Sequence, residues 1–230
     1  MKQEFTRIAV KVGSNVLTRR DGTLDVTRMS ALVDQIAELH KTGVEVILIS
    51  SGAVASGRSE IRTIKKLDSV DQRQLFSAVG QAKLINRYYE LFRDHAIPVG
   101  QVLTTKESFG TRRHYLNQKN CMTVMLENGV IPIVNENDTI STSEIEQVQT
   151  FGDNDRLSAV VASITDADLL ILLSDIDGMY TDDPRTNPDA RFIHYVETID
   201  DSLIQMGKAT SGSSVGTGGM ASKIAAAMIA

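Results

Sequence analysis

The sequence predicts an α/β fold, a three-layer α/β/α sandwich with a mainly parallel central sheet. Three observations carry this. Short apolar runs alternate with segments of helical periodicity along the chain. Some of those runs are apolar almost throughout, as in strands covered on both faces. Polar, glycine-containing segments repeatedly stand where such a run ends, the position at which parallel sheets bind their ligands.

The elements follow in order. "RIAVKVG" is rich in β-branched residues and stops at Gly13. "TRMSALVDQIAELHKTG" places Leu32, Ile36 and Leu39 on one helical face, with Gly43 as the stop. "VEVILIS" (44–50) is a nearly continuous apolar strand. Residues 69–95 read as a long helix with Leu75, Val79, Ala82, Ile85 and Tyr89 roughly in phase. "IPVGQVLTT" is a strand, "RHYLNQKNCMTVMLENG" a helix ending at Gly129, and "VIPIV" (130–134) a strand. A helix runs from about Asn154 to Ile164, and "DLLILLS" (168–174) reads as the clearest buried strand. The region 181–220 is looser, with a turn-rich "DDPRTNPDA" and a Gly/Ser-rich "GKATSGSSVGTGG". "MASKIAAAMIA" reads as the opening of a helix, after which further elements of the domain are expected.

Composition narrows the function. With 230 residues, 42% of them hydrophobic, the chain can bury a sizeable core, and one domain over residues 1–230 is expected. The net charge of -5 and the lack of a basic stripe argue against nucleic-acid binding. Anions would have to be gathered by local lysines. The N-terminus lacks the apolar run of a signal peptide. No stretch approaches the roughly 18 apolar residues of a membrane helix. A cytoplasmic protein without membrane contact is the expectation. The lone Cys121 cannot form an intrachain disulfide, and its helical setting reads as core. The four histidines have no metal-like spacing, and no Ser-His-Asp or Cys-His arrangement stands out.

Several segments could carry chemistry. "KVGSNVL" (11–17) puts Lys11 and a small-residue turn after a strand, without the P-loop pattern. Lys11 either reaches phosphate oxygens or is an ordinary lysine beside a turn. In "SSGAVASG" (50–57), Ser51 and Gly52 follow a strand, and backbone N–H groups there could hold an anion or simply pack a helix closely. "GTGGMASK" (216–223) combines glycines, a helix start and Lys223, a plausible polyphosphate site. "SDIDGMYTDDP" offers Ser174 and Asp175 around a turn. "NENDTISTSEIEQVQTFGDND" (135–155) holds six acidic residues and three Asn. It could be a metal cage, a solvated loop or a ligand cradle. "DNDR" breaks off after two alternate ligands and lacks the Gly and distal Glu of a calcium loop.

Taken together, "VKVGSNVLT", "SSGAVASG", "VGQ" at 79–81 and 99–101, "NENDT", "FGDND", "SDIDGMYTDDPR" and "GTGGMASK" resemble the amino acid kinase family from the first strand to the last residue. Within that family they are most similar to the members that phosphorylate the side-chain carboxylate of L-glutamate with ATP, the first step of proline synthesis from glutamate. The resemblance implies that Lys11 and Lys223 flank the γ-phosphoryl group and that Asp155 lies between them. Ser51, Asp138 and Asn154 would contact glutamate, with Gly52 and Asp153 shaping the pocket. Ser174, Asp175 and the turn Thr217, Gly218, Gly219, Met220, Ala221, Ser222, Lys223 would hold the nucleotide.

The chemistry is coherent with that set. A glutamate carboxyl, with an ordinary pKa near 4.3, is already ionised at neutral pH and needs no general base. The difficulty is bringing an anion to a polyanion, so positive charge and in-line positioning are required. Mg²⁺ carried by ATP needs few protein ligands, and no residue is assigned as a direct metal ligand. Asp138 suits the substrate ammonium, and Asn137 or Asn154 could donate to a carboxylate. "TISTSEIEQVQTF" reads as a flap with Glu144 and Glu146 solvated. The resemblance also implies proline as a feedback inhibitor and partnership with a glutamyl-phosphate reductase. A homo-oligomer is expected, with helix 69–95 and region 100–120 as possible faces.

Overall fold

In the computed structural model, β1 (Arg7–Val12) lies inside a parallel sheet between β2 (Glu45–Ser50) and β5 (Leu169–Leu173). Beyond β2 come β4 (Ile131–Glu136) and β3 (Val99–Thr104), giving the order β3-β4-β2-β1-β5. The structure describes residues 5–62, 66–105, 107–140, 154–209 and 219–230. Val12 pairs with Ser50 and with Leu173, Ile49 with Val134, and Thr104 with Glu136. The carboxyl ends of the five strands therefore finish nearly level along one edge of the sheet.

Successive strand residues face opposite sides, and two cores result. On one side α2 (Val26–Lys41) and α4 (Ser69–Arg93) bring Met29, Val33, Ile36, Leu84, Tyr88 and Phe92 against Val10, Val12, Val46, Leu48 and Ile133. On the other, α6 (Arg112–Glu127) and α7 (Asn154–Ile164) bring Met122, Leu126, Leu157 and Val161 against Ala9, Ile47, Ile49 and Val134. Short helices α1 (Ser14–Leu17), α3 (Ala53–Glu60) and α5 (Glu107–Gly110) follow β1, β2 and β3. A two-stranded antiparallel ribbon, β6 (Met179–Tyr180) with β7 (Phe192–Ile193), precedes α8 (Asp201–Ala209). The last helix, α9 (Met220–Ala227), packs on α7 and α8.

Local chemistry sets the ends. Asp25, Asp68 and Thr111 cap α2, α4 and α6 by accepting backbone N–H bonds from Arg28, Asp71 and His114. Gly43 and Gly129, at φ +90° and +69°, turn the chain out of α2 and α6. Helices α3 and α4 touch backbone to backbone. A Cβ on Gly57 would stand 1.8 Å from the Phe76 carbonyl oxygen, and one on Gly80 1.8 Å from that of Ala53. Among the described residues no helix is long and apolar enough to cross a membrane.

The structure revises some sequence readings. β5 is half-buried throughout rather than the most buried strand, because it borders the sheet formed by the described residues. The hidden stripe of α4 is Phe76, Ser77, Gly80, Gln81, Leu84, Tyr88 and Phe92, one position away from the predicted stripe. Leu75 and Tyr89 are exposed. The cause is that this face buries polar Ser77 and Gln81 and bare Gly80, which an apolar count passes over. In α2 the buried set is Met29, Val33, Ile36 and Ala37, leaving Leu39 outward. Cys121 is exposed, not core. The "DDPRTNPDA" loop lies between β6 and β7 as the connection of a ribbon.

Candidate active site

Three elements meet at a buried carboxylate. Lys11 is the last-but-one residue of β1 and lies on the face covered by α7, with 5% of its surface exposed. Asp155 is the second residue of α7 and is fully buried. One carboxylate oxygen of Asp155 is ion-paired with Lys11. The other accepts from Nζ of Lys223, the fourth residue of α9, at 3.1 Å. Ions this deeply buried persist only when paired. One carboxylate thus holds two ammonium groups at the carboxyl edge of the sheet, with positive charge in excess. That is the charge distribution a transferring phosphoryl group requires. A Cβ on Gly13 would lie 3.8 Å from the Lys11 ammonium and 3.5 Å from the Leu173 carbonyl oxygen. The turn after β1 therefore runs directly over Lys11, and Gly13 N–H bonds that same Leu173 oxygen at 3.2 Å.

Beside this cluster runs a chain of amides. Asn154, which opens α7, donates through Nδ2 to Ser51 Oγ at 2.7 Å and to Asn135 Oδ1 at 3.0 Å. Asn135 in turn donates to Oε1 of Gln81 on α4 at 2.8 Å. Both Asn154 amide hydrogens are spent inside the protein, and among the described residues its Oδ1 has no partner. A donation from Asn154 to a substrate carboxylate would have to displace one of these two bonds. Ser51 accepts from Asn154, so its own hydroxyl hydrogen can point to an anion, while Asn154 presents an acceptor. Gly52 follows at φ +100° and caps α3. The left-handed backbone here, rather than close approach, is what demands glycine. Behind it, Ser50 Oγ and the Tyr88 hydroxyl lie 2.9 Å apart. Burial pushes the Tyr88 phenol far above its usual range, against the pull of Ser50.

Asp138 follows β4 and is buried. Arg73 reaches its Oδ1 through Nε at 2.8 Å and Nη2 at 2.7 Å. The same Nη2 lies 3.3 Å from Glu136, and Ser77 donates to Asp138 Oδ2 at 3.3 Å. Arg73, Ser77 and Gln81 were missed by sequence reasoning, although they sit four residues apart on one face of α4. A polar stripe inside an otherwise packed helix was the available signal. Asn137, weighed as a carboxylate donor, accepts from Thr139 Oγ1 through its Oδ1, a bond that does not engage its amide N–H groups.

On the other flank, Asp175 follows β5. It accepts from Asn15 Nδ2 at 3.1 Å and from Ser174 Oγ at 3.3 Å. Burial works to raise this carboxyl, but the Asn15 amide, its own backbone N–H, the Ser174 hydroxyl and the charge of Arg185 outweigh it and hold it below the usual carboxylate value. Gly219 caps α9, and Met220, Ala221 and Ser222 form its first turn with N–H groups at the positive end of the helix. Asp153, Thr217, Gly218 and the segment with Glu144 and Glu146 lie outside the described residues. Among those described, no group of three or more His, Cys, Asp or Glu is arranged to hold a metal ion.

A parallel sheet with helices on both faces carries the lysine–carboxylate–lysine cluster at its carboxyl edge, and the chain belongs to the amino acid kinase family, which it matches over residues 6–230. Among curated proteins it is similar to glutamate 5-kinase of Bacteroides thetaiotaomicron, 74% identical over 97% of this chain and 60% of that protein. It is also similar to glutamate 5-kinase of Shewanella woodyi, 47% identical over 98% of this chain and 59% of that protein. The chain spans about 60% of the length of the curated relatives it matches. Among solved structures it resembles an isopentenyl phosphate kinase, at TM-score 0.58 and 17% identity over 88% of each chain. A UMP kinase from Bacillus anthracis gives TM-score 0.55 and 17% identity over 83% of this chain and 73% of that one. These two likenesses are of fold.

Proposed function

We propose that this protein transfers the γ-phosphoryl group of ATP to the side-chain carboxylate of L-glutamate, forming L-glutamyl 5-phosphate, the first step of proline synthesis from glutamate. The Lys11–Asp155–Lys223 cluster carries the phosphotransfer part of this reading. The glutamate 5-kinase relatives support the acceptor.

The acceptor carboxylate is ionised at neutral pH, so the site has no proton to remove. The two lysines lower the repulsion between two anions and stabilise charge on the equatorial oxygens as the phosphoryl group passes between them. Asp155 holds the lysines in register. The Ser51 hydroxyl donates to a substrate carboxylate, while Asp138 and the Asn154 carbonyl receive the substrate ammonium; Gly52 shapes the same pocket, to which the family resemblance also assigns Asp153. Ser174, Asp175 and the segment from Thr217 to Lys223 take the nucleotide. With one buried carboxylate shared by two lysines and another by Arg73, the donor set suits a Mg²⁺ ion borne mainly by ATP phosphates and water, which would neutralise phosphate charge. Proline inhibition, a cytoplasmic location and a homo-oligomeric assembly belong to the same reading.

The test is direct. Protein incubated with ATP, Mg²⁺, L-glutamate and hydroxylamine is expected to yield the γ-hydroxamate. Product from aspartate or another acid, with none from glutamate, would overturn the acceptor. No phosphoryl transfer to any carboxylate would overturn the activity.

A further inference from the structure

We propose that Arg73 is a positioning residue for the amino-acid substrate, acting through Asp138. The inference rests on the reading above that Asp138 receives the substrate ammonium. Asp138 lies just beyond the end of β4. Its orientation is set from across the sheet edge by α4, where Arg73 delivers both Nε and Nη2 to the single oxygen Oδ1 at 2.8 and 2.7 Å. Ser77, one turn further along the same helix, reaches Oδ2 at 3.3 Å. A contact of two guanidinium nitrogens on Oδ1 together with the Ser77 hydroxyl on Oδ2 fixes the carboxylate's plane as well as its place. It therefore decides in which direction Asp138 presents its charge.

Arg73 has a second task. Nη2 also lies 3.3 Å from Glu136, two residues before Asp138 and likewise buried. Two buried negative charges sharing one nitrogen repel each other. The guanidinium standing between them offsets that repulsion and keeps Asp138 aimed at the substrate ammonium. Gln81, a third residue of the α4 stripe, holds Asn135 and through it Asn154. One helix thus supports both the Asp138 and the Asn154 arms of the pocket. The bare-backbone contact of Gly57 and Gly80 ties that helix to α3, which starts just after Ser51 and Gly52.

Steady-state kinetics with separate variation of glutamate and ATP test this, alongside thermal unfolding of each variant. Arg73→Met is expected to raise the glutamate KM about 10- to 100-fold, the range for a lost hydrogen bond to a charged group. The ATP KM should change by less than about twofold, since the nucleotide contacts are independent of this pair. Arg73→Lys should fall between, because an ammonium keeps the charge but not the fork. Glu136→Gln in the Arg73→Met background should lower the glutamate KM again by relieving like-charge repulsion. Arg73→Met added to Asp138→Asn should have little further effect.

An unchanged glutamate KM in Arg73→Met overturns the proposal. So does a rise shared equally by ATP, accompanied by thermal destabilisation and unrelieved by Glu136→Gln, which is the mark of a purely structural residue. If Arg73→Met does not fold, Arg73→Lys decides by the same criterion. A wild-type protein inert toward glutamate overturns the functional reading and this inference together, whereas an active wild type with an indifferent Arg73 overturns the inference alone.

Discussion

Replacing Asp155 by Asn removes one negative charge with almost no change in shape. In the native arrangement the carboxylate is fully buried and pairs with Lys11, whose side chain is 7% exposed, and with Lys223, at 17%. At the 3.1 Å Lys223 separation, an effective dielectric of about 20 gives a gross attraction of about 5 kcal/mol. Desolvation offsets much of this. The measured cost of orphaning a buried ion by removing its partner, about 3–5 kcal/mol, is the better guide. For a chain of this size that is roughly 6–20 °C in Tm. The neutral amide would leave two ammonium groups facing each other, and ATP brings the anion they lack. Asp155→Asn is therefore expected to lose thermal stability without ligand, to regain more of it than wild type on adding ATP, and to bind ATP at least as tightly while kcat collapses. Differential scanning fluorimetry with and without ATP, together with initial rates, reads all of this. A variant as stable as wild type without ligand, or one that ATP stabilises less than it does wild type, would refute the reasoning that Asp155 exists to balance the lysines.

Two further outcomes follow from packing and titration. Gly80→Ala puts a methyl group 1.8 Å from the Ala53 carbonyl oxygen. The expected loss is about 1–3 kcal/mol from overpacking, although alanine is the better helix former by about 1 kcal/mol. Urea unfolding measures it, and a stabilised Gly80→Ala would show that α3 and α4 do not meet as described. Asp168 accepts from the backbone N–H groups of Arg7 and Thr6 and from the Thr6 hydroxyl, and these bonds hold its carboxyl below the usual value. A depressed folded pKa contributes stability that is fully present above the unfolded value, about 3.9, and is lost as pH falls below it. Asp168→Asn should lower Tm at neutral pH, and the gap from wild type should close on acidification below about pH 4. A gap independent of pH would mean the carboxylate charge plays no part.

Much of this architecture is legible in local sequence. Helix α7 runs from Asn154 to Ile164, as its periodicity indicates, and Gly43 and Gly129 mark helix exits because their positive φ allows the turn. The strands β1 and β2 are recognisable because covered strands need apolar side chains on both faces. α4 was misphased because its buried face is partly polar. Ser77 and Gln81 are hidden not for their own hydrophobicity but because Asp138 accepts from the one and Asn135 donates to the other, both from another element. The burial of β5 was overestimated because apolar composition records what a strand tolerates, not how many neighbours it has.

The alternation of strands and helices, their ends, and the residue types gathered at the strand ends are thus local properties, since each depends on a period or a backbone preference acting over a few residues. Which of those residues meet is a property of the folded chain alone. Lys11 and Lys223 come from opposite ends of the chain to share Asp155, and Arg73 crosses from α4 to grip Asp138. Coulomb attraction and hydrogen bonding act through space, and no local period records the partner that folding brings within about 3 Å.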